Sequence, residues 1–510
     1  MSPQTKRVVV IGAGWAGLVG AKTYLEVDPT IDLTIFDAER TVGGVWSADR
    51  LYPGFTADSP SGMFDFSDLP MREVVDLKDW DELPSEKVHE YLEAYCAKFD
   101  LTSRLRLNTR ISKVSRNEDG KRWDVYIEGS DEVVTCDKLL VATGLTSRPN
   151  WPDIPREDFE GPVMHTKDIG VHYKALTSEK VQRVTVYGGC KSSIDAISMC
   201  IAQGKHVDWV IRESGNGPGM MLEVRVLGGI HAYRFAGRWR DIFTPSIFSL
   251  DTFWYRFLHS GKNKLGTWII NRFWKSAIKT PLSMGPYKVD CENIRKLKPE
   301  TNSALFFTAG ASALHGNKQF VKELQTGTLI TVHRATITSM SGTTIHLNNG
   351  ETLQSDAAVF GTGWNAEIEF FSLAERLNLG IPAPLEQQDA ATEAYWEDLK
   401  QSADKEVISL LPILANPPPH YQRPVPYTPF RLYRYILPSS LASANDRSLV
   451  FLGQVTSVQT TIVNEVSALW SVAWMEDFLP AKAIPKTKAE MDYEISKVNA
   501  WCERSMWLIF

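Results

Sequence analysis

Val8-Val9-Val10-Ile11 runs directly into Gly12-Ala13-Gly14-Trp15-Ala16-Gly17, after which Leu18 to Glu26 has helical composition. Strand, tight turn and helix in this order form a pyrophosphate cradle. Gly12 permits the turn, Gly14 lets the backbone approach the ligand, and Gly17 lets the helix close on the strand. The free N–H groups at the helix start then face the negative charge. A second strand, Leu33 to Phe36, ends in Asp37, about 20 residues further on, where a carboxylate accepts hydrogen bonds from an adenosine ribose. One dinucleotide site is therefore expected here.

The chain repeats this device in mid-sequence. Val184-Thr185-Val186-Tyr187 meets Gly188-Gly189-Cys190-Lys191-Ser192-Ser193, and Ile194 to Gln203 is again helical. Cys190 and Ser193 stand at the second and third glycine positions, which narrows the approach to a pyrophosphate. The following strand, His206 to Ile211, ends in Arg212. A cation there suits the extra phosphate of NADPH in place of the ribose clamp of NADH. Lys191 either adds to that attraction or is an ordinary lysine at a helix start.

These elements must be positioned by sizeable sheets, and the composition supplies them. The chain has 510 residues, 43% hydrophobic and 23% charged, more than one core usually organises. The net charge of -6 and the lack of a basic block exclude nucleic acid as a natural partner. Six cysteines (96, 136, 190, 200, 291 and 502) include no C-x-x-C pair, so a zinc site or dithiol redox centre is not expected. This also weighs against a reductase of the disulfide type. No signal-peptide core or membrane-length apolar run is present, and a cytoplasmic protein follows.

After Asp37 come Ala38-Glu39-Arg40-Thr41-Val42-Gly43-Gly44-Val45-Trp46, and the linker between the two loops carries Phe159-Glu160-Gly161-Pro162-Val163-Met164-His165-Thr166-Lys167-Asp168-Ile169. With these segments the chain resembles the flavin-containing monooxygenases and their relatives, the type I Baeyer-Villiger monooxygenases, over about Val8 to Trp501, and especially members from filamentous fungi. The resemblance implies FAD at the first site, with Gly44, Val45 and Trp46 continuing its fingerprint, and NADPH at the second. His165 would belong to an interdomain hinge that positions NADPH. Ile169 stands where both groups of relatives have an aromatic residue.

The segments ending in Ala142-Thr143-Gly144 and in Gly361-Thr362-Gly363-Trp364 resemble the family's crossings between the FAD and NADPH domains. The expected fold is α/β, with two three-layer Rossmann-like domains and the NADPH domain inserted into the FAD domain. Residues 1-168 would form the first part of the FAD domain, 169-365 the NADPH domain, and 366-510 the return to the FAD domain with C-terminal helices. Ser448 to Gly453 and the stretch holding Glu465, Ala468 and Trp470 belong to that return. Many relatives continue beyond Trp507-Leu508-Ile509-Phe510, so a further C-terminal element is an expectation left open.

Tyr52-Pro53-Gly54-Phe55-Thr56-Ala57-Asp58 resembles the Baeyer-Villiger pattern, making Asp58 the candidate catalytic residue beside flavin and nicotinamide. A turn hydrogen bond by Asp58 is the plainer alternative. The resemblance implies NADPH consumption and a C4a-(hydro)peroxyflavin that transfers oxygen to a small apolar substrate, such as a polyketide or terpenoid intermediate. Oxygen insertion beside a ketone and oxygenation of nitrogen, sulfur or carbon both remain open, as does a non-catalytic FAD-stabilised scaffold.

Residues 247-279 combine eight aromatic residues with Arg256, Lys262, Lys264, Arg272, Lys275 and Lys279 and a single acid, Asp251. Three readings fit this composition: helices on an anionic membrane, helices covering an apolar tunnel, or aromatics packed on a sheet with cations reaching water.

Overall fold

The computed structural model describes residues 5–214, 217–226, 229–235, 241–249, 252–298, 313–417, 426–485 and 487–505. Asp251 and Trp507 to Phe510 lie outside them.

Arg7–Ile11 is extended because its β-branched run favours that backbone, and all but its first residue are buried. Burial on both faces is what a continuous apolar strand needs in a parallel sheet. Asp32–Phe36 and Lys138–Val141 flank it in parallel register. Leu105–Arg106 extends one edge and Leu449–Phe451 the other, completing five strands. An antiparallel meander, Ile111–Arg116, Trp123–Ile127 and Val133–Cys136, packs Trp123 and Val125 into a core with Phe36 and Phe451.

The second sheet has the same logic. Arg183–Tyr187 lies between Ala357–Phe360 and His206–Ile211, with Val163–His165 and Ile330–Arg334 at the edges, all parallel. It is built between the strands Lys138–Val141 and Leu449–Phe451 of the first sheet, which establishes the insertion of one Rossmann-like unit within the other. The expected boundary after 168 leaves Val163–His165 with the first unit, but its pairing with Ala358, Val359 and Phe360 puts it in the second sheet. Three residues are too short a run for periodicity to assign to either sheet. The two passages between units lie side by side, since Arg148–Pro149 pairs antiparallel with Trp364–Asn365.

In the stretch 247-279 and just beyond it, Phe253–His259 and Lys264–Leu282 form two helices. Gly266 lets them touch, because a Cβ there would lie 2.1 Å from the Phe257 carbonyl oxygen. Tyr255, Leu258, Ile270 and Trp274 form a core with Val407 of Ala390–Leu410 and Ala500 of Lys488–Ser505. These residues of the insertion therefore pack on C-terminal helices, while Ile278 enters the core built on the second sheet.

Candidate functional site

At the first loop two side-chain-free backbones face one another. Gly14 caps helix Trp15–Val27, and a Cβ added to it would lie 3.7 Å from Gly44 Cα. The Gly43 N–H donates to the Ala13 carbonyl at 2.9 Å and fixes the facing strand of chain. Gly12 has φ +113°, and a Cβ there would come within 2.3 Å of the Ala142 oxygen; at Gly17 it would meet the Gly12 oxygen at 1.8 Å. The result is a narrow cradle at a helix N-terminus, which fits a dinucleotide pyrophosphate. Ala16 borders it, with Gly453 directly behind.

Asp37 closes the far side. Its Oδ2 accepts from the Ala13 N–H at 2.6 Å and its Oδ1 from the Glu39 N–H at 2.8 Å. Burial raises its pKa, and the two backbone donors oppose that shift. Each oxygen retains a further lone pair, so ribose hydroxyls can still be accepted. Val45 and Trp46 follow in a short 3-10 turn. The Trp15 ring packs edge-on against Phe64 and Phe66, a core role for that side chain.

The second loop turns at Gly188, φ +139°, where a Cβ would approach the Gly361 oxygen to 2.1 Å. Gly189 packs against Gly217 and Ile211, Cys190 is the exposed N-cap of helix Lys191–Ala202, and Ser192 is half-buried. Ser193 is fully buried and its Oγ has no hydrogen-bond partner. Gly361 makes this serine possible, since a Cβ at 361 would lie 2.1 Å from that Oγ. The room lost at the third glycine position is thus recovered at the residue that follows strand Ala357–Phe360. Arg212 is exposed at the end of its strand, and its charge reaches Tyr187 and Cys190.

Between the two loops the segment Tyr52 to Asp58 is held by both units. Phe55 stacks between Trp46 and Tyr52, at ring separations of 5.0 and 5.1 Å, and Tyr52 is buried in the core of the second unit. Lys191 donates to the Thr56 carbonyl and, at 2.7 Å, to Asp195 Oδ2. Burial alone would lower the lysine pKa, but Asp195 and Asp58 hold the ammonium above its ordinary value. Burial drives Asp195 up to about 6 against the pull of Lys191. Burial also raises Asp58, which Lys191 opposes, and Asp58 Oδ1 is buried without a hydrogen-bond partner. Lys191 thus faces two carboxylates and a loop carbonyl, which neither of the two readings open for it, phosphate attraction or an ordinary lysine at a helix start, includes.

The passages between the units form a third cluster. His165 Nε2 lies 3.1 Å from the Gly363 oxygen, and its Nδ1 accepts from the Lys167 N–H. Its ring sits edge-on to Trp364 and Trp151, and burial lowers its pKa to about 4. A neutral imidazole with both nitrogens bonded to backbone fastens the passage. Thr362 Oγ1 donates to the Asn150 carbonyl, and the Asn150 N–H to Gly363. On the outward passage Thr143 follows the Ala142 carbonyl that rests on Gly12, and Gly144 turns with φ +66°.

Sequence reasoning missed Asp195, Thr56, Arg50, Glu39 and Lys167. Arg50 is buried, donates to the Thr146 carbonyl, and lies 3.1 Å from Glu39, whose other cation is Lys167 at 3.7 Å. The Lys191–Asp195 spacing is a visible i, i+4 pair. Of the other contacts, Arg50 to Glu39 spans 11 residues of loop without periodic spacing, and the rest join segments distant in sequence.

Among the described residues no group of three or more His, Cys, Asp or Glu is arranged to hold a metal. All six cysteines are unpaired.

Two dinucleotide cradles facing a shared loop define an oxidoreductase of the two-nucleotide class. Residues 9–226 match the family model described as pyridine nucleotide-disulphide oxidoreductase. Over 518 residues the chain is 36% identical to the FAD-dependent monooxygenase rstn6 of Aspergillus nomiae, covering 98% of this chain and 88% of that protein. Similarity to the FAD-dependent monooxygenase resA of Aspergillus sclerotiorum is nearly the same, 35% over 516 residues, with 98% and 88% covered. The open crystal structure of a cyclohexanone monooxygenase shares the fold with a TM-score of 0.61 at 17% identity, covering 99% of this chain and 97% of that one. The chain belongs to the FAD-dependent monooxygenase family.

Proposed function

We propose that the chain uses FAD at the first cradle and NADPH at the second to place one atom of dioxygen on a small apolar organic substrate. The observation that carries this reading is the Tyr52–Asp58 segment, seated on the second unit's core and tied by Lys191 to the second unit's nucleotide helix. A shared loop is what a two-cofactor reaction needs where hydride passes from one site to the other. Bound FAD supplies hydride acceptance and oxygen activation.

The chain's own residues bind, orient and exclude water. Gly12, Gly14, Gly17 and Gly44 admit the FAD pyrophosphate, and Asp37 receives the ribose. Gly188, Gly189 and the start of helix Lys191–Ala202 receive the NADPH pyrophosphate, with Arg212 directed to its 2′-phosphate. His165, Thr362 and Gly363 keep the passages in register, and we place the working limit of the second unit near Arg148 on strand pairing. Asp58, with its Oδ1 buried and unpartnered, is the carboxyl placed to exchange a proton next to the shared loop; burial raises its pKa and Lys191 opposes that rise.

Oxygen insertion beside a ketone is favoured by the Tyr-Pro-Gly-x-x-x-Asp loop. Among the described residues no helix is long and apolar enough to cross a membrane; peripheral membrane contact through 247-279 is the reading we adopt. Oxygen uptake with NADPH and isotopic dioxygen, followed by product analysis on a panel of ketones and thioethers, tests the function. Labelled product from either class supports it. Uptake that yields only hydrogen peroxide with every compound, at full FAD occupancy, overturns it.

A further inference from the structure

One face of helix Lys264–Leu282 is committed to the interior. Ile270 and Trp274 enter the core shared with Val407 and Ala500, and Ile278 enters that of the second unit. At a 3.6-residue period the opposite face carries Leu265, Trp268, Arg272, Lys275 and Lys279, all exposed. Leu265 and Trp268 are 57% and 61% exposed; in the adjoining helix Phe253 and Trp254 reach 73% and 62%. Residues 252–282 contain no aspartate or glutamate.

From this surface we infer that the helix pair is an interfacial anchor for an anionic lipid leaflet, which deepens the membrane contact proposed above and names the lipid class. Exposed aromatics on this scale mark an interaction site. Tryptophan and phenylalanine sit favourably at headgroup depth, while lysine and arginine stems lie along apolar surface with their charges among the headgroups. A helix pair that brings several cations and no anion of its own is complementary to acidic lipid and repelled by a basic partner. The anchor is prearranged: Gly266 locks the two helices together, and the Thr252 side chain caps the first by accepting from the Tyr255 N–H. Binding needs no refolding.

The test is co-sedimentation of the full-length, FAD-loaded protein with phosphatidylcholine vesicles, with and without phosphatidylserine. Wild type should partition only onto the serine-lipid vesicles. Each surface cation contributes roughly a five-fold factor, and three charge reversals add repulsion to the loss of three cations, so the variant Arg272→Glu, Lys275→Glu, Lys279→Glu should bind at least about 100-fold more weakly. A second variant, Trp254→Ser with Trp268→Ser, should lose binding while keeping its positive charge. Oxygen uptake with NADPH in lipid-free buffer should be unchanged in both, which separates failure of the anchor from failure of the catalytic reading. Undiminished binding by the charge-reversed variant, or no binding of wild type to acidic vesicles, overturns the proposal. So does a wild-type dimer in solution that Trp268→Ser converts to monomer, because the face would then be covered by a second copy.

Discussion

Lys191 donates to the carbonyl of Thr56, so the first residue of the second unit's nucleotide helix holds the Tyr52–Asp58 segment of the first. Neither residue can shift without disturbing the other unit. Asp195, one helical turn along, keeps the ammonium oriented at 2.7 Å.

Removing that cation separates assembly from turnover. Lys191→Met keeps the length and apolar stem of the side chain but leaves Asp195 and the Thr56 carbonyl without their donor. Such losses amount to about 1–3 kcal/mol, so kcat/KM for NADPH should fall roughly 10- to 100-fold. FAD content, measured by absorbance after desalting, should remain near stoichiometric. Equal loss of FAD and of NADPH turnover would contradict the division of labour.

The two kinds of glycine at the first loop should behave differently. Gly17→Ala places a Cβ 1.8 Å from a backbone oxygen, so the helix must leave the strand and soluble yield should collapse. Gly44→Ala meets only Gly14, at 3.4 Å; its left-handed backbone costs about 1 kcal/mol. The folded protein should survive with a Tm only a few degrees lower, while FAD affinity drops at least ten-fold by fluorescence titration.

Arg212 is expected to choose the nicotinamide donor. In Arg212→Ala a charge-assisted contact of about 1.5–3 kcal/mol disappears for NADPH and is absent from NADH in any case. Steady-state kinetics should show kcat/KM falling about 10- to 150-fold for NADPH and little for NADH. A parallel decline for both donors would assign the residue to folding.

His165 gives stability a defined pH dependence. Its folded pKa, about 4, is depressed below the unfolded value of about 6.5, so its contribution is fully present above pH 6.5 or so. It is lost as pH falls toward the folded value, because the unfolded chain takes up the proton first. Between about pH 7 and pH 4.5 this amounts to about 2–3 kcal/mol. Urea midpoints across that range should fall more steeply for wild type than for His165→Asn, and identical slopes would exclude a neutral buried imidazole.

How far the sequence could reach depended on the separation of the partners. Gly12, Gly14, Gly17 and Asp37 act within a single strand–turn–helix–strand unit, so their spacing alone revealed both cradle and carboxylate. Ser193 looked like damage to the second loop because the compensation, Gly361, directly follows a strand remote in sequence and its absent side chain leaves no signature. Lys191 stayed open between phosphate attraction and an ordinary lysine at a helix start for the same reason: its i, i+4 partner was visible, but the carbonyl of Thr56 was not. The aromatic and basic stretch was legible as amphipathic, yet only the burial of Ile270, Trp274 and Ile278 shows which face is turned outward.

The pairing of Arg148–Pro149 with Trp364–Asn365 brings entry and exit of the inserted unit within one strand spacing, about 5 Å. An insertion closed at its base in this way adds no long loop to its host. The chain path between Lys138–Val141 and Leu449–Phe451 of the first sheet is in effect shortened by the whole length of the closed unit. To its host the inserted unit presents a doorway no wider than a hairpin turn.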